Sequence, residues 1–202
     1  MIRAKIYINK ILHLFGLIRV KTDKKQVYLT FDDGPEGDIT DFVLNELEKY
    51  KAKATFFCKG ENVVKNPEQY QKILSRGHSV GNHTYSHLNS FKVSTREYLN
   101  DVNKAAAVID SKYFRPPHGS LTFKCFLHLF RKYKIIHWSL ISGDTELGSL
   151  DLKTTLERLK KKTKAGDIVL FHSCNLHSKE TKLILPRYLE WLYSNGYKSV
   201  QL

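Results

Sequence analysis

VYLTFDDGP, running from Val27 to Pro35, decides the architecture. Its first half is a short β-rich run of Val, Tyr, Thr and Phe, residue types that suit a pleated surface. Two aspartates follow at once, and Gly34-Pro35 supplies a turn. Outward from this run the chain repeats one rhythm. Further apolar runs occur at Ala54–Cys58, His78–Val80, Tyr113–Arg115, Ile135–Leu140, Asp167–His172 and Lys198–Leu202, with helical spacing between them. Thr95–Ile109 places Tyr98, Leu99, Val102, Ala105, Ala106 and Ile109 on one face, with Ser94 or Thr95 as the cap and Glu97 in the first turn. Asp38–Tyr50 repeats Phe42, Val43, Leu47 and Tyr50 at the same spacing. Alternating strand and helix predicts an α/β fold with parallel strands and helices outside. With about seven strands, closure comes as a barrel or a strongly curved sheet, and functional residues belong just after the strands.

The chain's 202 residues hold one well-cored domain and are marginal for two. Hydrophobic residues at 42% and charged residues at 26% exclude a disordered chain. Charge is the outlier, since 33 Lys+Arg against 20 Asp+Glu leave +13. That surplus points to a polyanion: nucleic acid, an anionic membrane or an acidic polymer. The basic run in Leu152–Lys164 has no interleaved aromatic residues. A solvated helix face is expected there, with no specific nucleic-acid partner and at most weak attraction to an anionic envelope surface. Cys58, Cys125 and Cys174 are odd in number and widely spread, so no disulfide framework is implied, and Cys58 reads as a small buried hydrophobe.

The first twenty residues begin like a signal peptide with Arg3 and Lys5. Asn9, Lys10 and His13 break the apolar part, however, and no small-residue cleavage site follows. The unbroken stretch Leu14–Ile18 is far below the ~20 residues that span a bilayer, so no transmembrane segment is expected. Residues 1–24 are expected to be an amphipathic segment packed on a domain formed by 25–202, or resting on a membrane surface. A cytoplasmic location is the default, with envelope association as the second reading.

Polar clusters follow five of the runs: Asp32-Asp33-Gly34-Pro35, His83 to His87, Arg115-Pro116-Pro117-His118-Gly119, Ser142-Gly143-Asp144, and His172. In a β/α barrel they converge on one face. His83 and His87 are spaced i, i+4, which puts both imidazoles on one side of a helical turn. Two His plus a carboxylate make a first shell for a catalytic divalent metal. Thr84 stands where the H-E-x-x-H helix carries its Glu, so an outside carboxylate must serve. Standing alone, such a His pair is more simply a pair of solvent-exposed or satisfied core histidines, and Asp32-Asp33 a loop-capping pair. Adjacent carboxylates after a buried strand nevertheless call for a balancing cation. Successive side chains diverge, so one can hold a metal while the other acts as a general base.

The motifs T30-F-D-D-G-P35, G77-H-S-V-G-N-H-T-Y-S-H87, R115-P-P-H-G119 and L170-F-H172 resemble those of the polysaccharide deacetylases of carbohydrate esterase family 4, the NodB homology domain. The resemblance runs from about Lys25 to the C-terminus. It implies a distorted (β/α) barrel of about seven parallel strands. It also implies a hydrolase that removes N-acetyl groups from N-acetylhexosamine glycans and releases acetate. By the same resemblance Asp32 is the catalytic base, and Asp33, His83 and His87 hold the metal, usually zinc, with cobalt as the other candidate. Arg115 holds the base, His172 is the general acid, and Asp144 orients His172. A backbone N–H near His118 serves the oxyanion.

Three positions depart from the family pattern. His118 stands where Tyr is usual. S142-G-D-T145 lacks the Trp that usually pairs with the Asp, while Trp138, a candidate substrate contact, lies earlier in the strand. Ser173 stands where Asp is common. Choice of glycan is expected to lie in loops such as Asn89–Thr95 and Leu147–Asp151. Two rival readings are an O-acetyl esterase acting on xylan-like glycans and a non-catalytic, metal-containing glycan-binding relative.

Overall fold

A computed structural model describes residues 16–145 and 151–202. Residues 1–15 of the expected N-terminal segment, and most of the loop Leu147–Asp151, lie outside the described residues. The strands are β1 (Gln26–Asp32), β2 (Ala54–Cys58), β3 (Ser79–Asn82), β4 (Tyr113–Phe114), β5 (Lys134–Ile135), β6 (Leu140–Ile141), β7 (Ile168–His172) and β8 (Lys198–Ser199). Helices α1 (Gly37–Lys49), α2 (Gly60–Lys65), α3 (Pro67–Ser75), α4 (Thr95–Ala106), α5 (Phe123–Leu129), α6 (Leu152–Lys162) and α7 (Ser178–Ser194) connect them. The sheet runs β5-β4-β3-β2-β1-β7-β6, and β8 adds to the start of β1. Every named pairing is parallel. Seven strands therefore curl into a distorted barrel, as the alternation of runs and helices predicts.

β1 is the central strand. Leu29 to Asp32 are all buried, because a parallel strand with both faces covered loses its polar alternation. Its register places Asp32 level with Phe57 on one side and His172 on the other. On the outer face Phe31 stacks on Phe56 at 5.1 Å, and Val43, Leu47, Leu185 and Leu189 of the covering helices complete the core. On the inner face the Phe57 ring lies across Gly81 of β3, where any Cβ would collide with it. Ser94 Oγ accepts from Glu97 N–H, so α4 is capped as its sequence predicts. Leu156 and Leu159 of α6 are buried while Lys161 and Lys162 are exposed, the solvated face expected of that basic run. Cys58, Cys125 and Cys174 are free and buried.

The expected strand Ile135–Leu140 is a correction. It divides into β5, paired with β4, and β6, paired with β7, at opposite ends of the sheet path. The curling sheet brings its two edges close together, and this short segment crosses between them. The Ile136 and His137 carbonyls, which a continuous ladder would engage, accept instead from Arg115 Nε and Nη2. The seam is covered from the N-terminal side. Leu17 N–H donates to Ile135 O, His137 N–H to Leu17 O, and Val20 N–H to Gly166 O. Arg19 pairs at 2.5 Å with the fully buried Asp167, which also accepts from Ser139 Oγ–H and Lys164 N–H. Among the described residues no helix is long and apolar enough to cross a membrane.

Candidate active site

The polar clusters meet at the carboxyl ends of the strands, around a cavity of about 550 Å³. Asp32, the last residue of β1, is buried and accepts from Arg115 Nη1 at 2.7 Å. Arg115 follows β4 and is itself fully buried. Its guanidinium also donates to Thr30 Oγ1 and to the Ile136 and His137 carbonyls, and lies 4.1 Å from the Phe57 ring centroid. Burial outweighs the cationic partners of Asp32 and raises its carboxyl above the usual range. A raised, held carboxylate is a better proton acceptor than a surface one.

Asp33 turns away from Asp32 through a backbone φ of 72°. Its Oδ1 lies 3.2 Å from His87 Nε2 and 3.6 Å from His83 Nε2. Its Oδ1 is buried and has no hydrogen-bond partner. His83 Nδ1 lies 2.7 Å from the Arg115 carbonyl, and that contact assigns the Nδ1 proton and leaves the Nε2 lone pair facing Asp33. Burial pushes the His83 pKa down to about 3 and lowers that of His87, so both imidazoles are neutral at pH 7. An orphaned carboxylate oxygen facing two neutral ring nitrogens fits a divalent cation. The three ligand atoms lie within 4.8 Å of one another.

The route by which the His pair converges is a second correction. Residues His83–Asn89 form a loop, with Thr84 at φ 64° and His87 at φ 60°, and not a helical turn. The carboxylate of Asp101, on α4, holds this loop by accepting from Tyr85 N–H, Ser86 N–H and Ser86 Oγ–H. Asn82 Oδ1 accepts from Thr84 N–H. No sequence motif marks Asp101, because it reads as an ordinary polar-face residue of a helix.

His172 closes β7. Its Nδ1 lies 3.1 Å from Asp144 Oδ1, and its backbone N–H donates to Asp144 Oδ2 at 2.6 Å. Thr181 Oγ1 of α7 lies 3.1 Å from the same Oδ2. Burial disfavours the imidazolium, but the hydrogen bond and charge of Asp144, with Asp32 and Asp33 behind it, overcome that and set its pKa at about 9. His172 is therefore a proton carrier at pH 7.

The three departures each acquire a location. The His118 ring, at φ 58° in the turn Pro117–Gly119, stands edge-on to His87 at 4.7 Å on the cavity wall. Trp138 lines the same cavity from the seam between β5 and β6, and a Cβ on Gly119 would come within 2.6 Å of its ring. Ser173 is buried, and its N–H donates to Asp32 O at 2.9 Å, so it steadies the backbone of Asp32. Five cavity residues, Glu36, Lys59, Cys174, Leu176 and His177, carried no motif in the sequence. The His177 ring lies 5.0 Å from that of His172, on a turn that only the fold brings back over the strand ends.

The polysaccharide deacetylase family profile matches residues 19–133. The chain belongs to the polysaccharide deacetylase family. The matched segment ends before Asp144 and His172, so their placement beside Asp32 comes from the fold. The deacetylase chain is 32% identical over 187 residues to a peptidoglycan-N-acetylglucosamine deacetylase of Bacillus cereus, covering 90% of this chain and 88% of the relative. It spans 57% and 39% of two longer relatives, each named peptidoglycan-N-acetylglucosamine deacetylase. Its fold matches the crystal structure of the Bc1960 peptidoglycan N-acetylglucosamine deacetylase with a TM-score of 0.85 and 30% identity, over 92% of this chain and 90% of that one. It also matches a carbohydrate esterase family 4 pseudoenzyme from Bacillus anthracis, with a TM-score of 0.77 and 26% identity over 92% and 66% of the two chains. The family is one of carbohydrate esterase hydrolases that act on amide bonds.

Proposed function

We propose that this deacetylase is a divalent-metal-dependent enzyme that hydrolyses the N-acetyl groups of N-acetylhexosamine glycans of the peptidoglycan type. One observation carries the reading. The orphaned Asp33 Oδ1 faces two neutral imidazoles beside a carboxylate held by Arg115 and an imidazolium held by Asp144. The names of the relatives support the substrate class.

Asp33, His83 and His87 would hold the cation, most simply zinc, with cobalt as a working substitute. When bound, it supplies Lewis-acid polarisation of the acetyl carbonyl and of the attacking water. Asp32 takes one proton from that water as its oxygen adds to the carbonyl carbon. Arg115 keeps the carboxylate aimed and balances its charge. A backbone N–H of the His118 turn faces the developing oxyanion. His172 then gives its proton to the sugar nitrogen as the C–N bond breaks, leaving a free amine and acetic acid, which loses its proton to become acetate. Asp144 holds the imidazolium in place for that step. Trp138 and the His118 ring form the walls against which the sugar lies.

The test is acetate release from peptidoglycan, chitin oligomers and acetylated xylan after chelation and after addition of Zn²⁺ or Co²⁺. Metal-restored release from the N-acetyl glycans supports the proposal. Release from xylan alone identifies an O-acetyl esterase. Stoichiometric Zn²⁺ binding without any release identifies a glycan-binding relative that has kept its metal.

A further inference from the structure

Helix α5 breaks the rule that a surface helix turns its polar side outward. Its inner face, Cys125 and Leu129, is buried with Leu121 against Tyr98 and Val102 of α4. Its outer side, beside the exposed Lys124 and His128, carries apolar residues as well. Phe123, Leu127 and Phe130, spaced i, i+4, i+7, are 62%, 45% and 45% exposed. The rings form a row, with Phe123 stacked on Phe126 at 6.4 Å and Phe126 on Phe130 at 5.2 Å. The loop before α4 extends the row. Thr122 N–H donates to Ser90 Oγ, which brings Phe91, 54% exposed, to the start of α5.

The rim of this face is cationic. Lys92, Lys124, Arg131, Lys132 and Lys134 are all exposed, and Arg131 lies 5.8 Å from the Phe130 ring centroid. Between Asp110 and Asp144 the chain contains no Asp or Glu. An aromatic row within a predominantly basic rim matches the boundary of an anionic bilayer, where rings enter the headgroup layer and cations meet phosphate. A second copy of the chain fits poorly. A two-fold interface would set these cations against one another, and the segment 111–143 holds no carboxylate to answer them.

We propose that the face formed by α5 and Phe91 docks the protein on the surface of an anionic phospholipid bilayer. The proposal stands apart from the deacetylation reading, because neither Leu127 nor Phe130 lines the cavity.

Co-sedimentation of the full chain with vesicles of phosphatidylglycerol and phosphatidylcholine, against phosphatidylcholine alone, tests it. Binding is expected only to the anionic vesicles and should weaken with salt. Leu127→Ser with Phe130→Ser should lower partition by on the order of tenfold. Lys124→Gln with Lys132→Gln should do the same or more, since each cation near an anionic surface contributes about fivefold. Urea midpoints equal to wild type establish that the variants are folded. Should Leu127→Ser with Phe130→Ser not fold, Phe91→Ser with Leu127→Ser replaces that pair. No binding, or binding that none of the variants weakens, overturns the proposal. So does a dimer in sedimentation velocity that the apolar substitutions abolish, which would make this face a contact between copies.

Discussion

Replacing Asp144 with Asn isolates the interaction that makes His172 a proton carrier. In the wild type, burial opposes the imidazolium, yet the Asp144 hydrogen bond and charge carry its pKa from 6.5 to about 9. A rise of that size corresponds to on the order of 3 kcal/mol. The folded-state pKa lies above the unfolded one. The stabilisation is therefore complete below about pH 6.5 and disappears as pH rises through about 9. Asn keeps an acceptor near the His172 backbone N–H but removes the charge, so burial prevails and the imidazole titrates below 6.5. The stability difference between wild type and variant should then be about 3 kcal/mol or more at pH 5.5. It should shrink to about 1 kcal/mol near pH 10, where only a weakened hydrogen bond remains. Urea unfolding of the metal-free protein across this range measures it, with the His172 ring followed by NMR. Turnover at pH 8 should fall about thirtyfold from loss of the protonated acid alone. A pH-independent stability difference, or a His172 that still titrates near 9 in the variant, refutes the assignment.

Arg115→Met strands the buried Asp32 carboxylate and should cost about 3–5 kcal/mol at pH 7 by urea unfolding. The deficit should narrow toward pH 4, because protonating Asp32 removes the unpaired charge, whereas a simple packing defect would not change with pH. Asp101→Ala releases the loop that carries His83 and His87 without touching a ligand, and should weaken Zn²⁺ binding in calorimetry by about 10–100-fold. Unchanged affinity would show that the loop holds its shape unaided. Asp33→Asn should abolish stoichiometric Zn²⁺ binding and leave the urea midpoint at or above that of wild type in chelator, since the Oδ1 it replaces is buried without a hydrogen-bond partner.

Much of the site lay open in the primary structure because its parts are local. A strand, two carboxylates and a Gly-Pro turn occupy consecutive positions, and VYLTFDDGP states all of them. The one strand read wrongly, Ile135–Leu140, is apolar throughout, and composition carries no sign that a curling sheet will divide it between two edges. The structure brings the His pair together, but not on the backbone that its spacing predicts. Spacing i, i+4 is the signature of a helical turn, but here two residues in the left-handed region and the Asp101 carboxylate bring the rings together. Asp101, Thr181 and His177 had no signal at all, since each acts through contacts made far along the chain.

The division follows the range of the forces. Strand and turn propensity, capping and the order of polar clusters act over a few residues, so residue order alone settled the alternating α/β plan and named Asp32, Asp33, His83, His87, Arg115 and His172. Protonation and proximity depend on burial and on register between strands far apart in the chain. The level pairing of Asp32 with His172, the orphaned Asp33 oxygen, the neutral His83 and the charged His172 exist only once β1, β4 and β7 lie side by side. Desolvation sets those charges, and desolvation is a property of the packed chain.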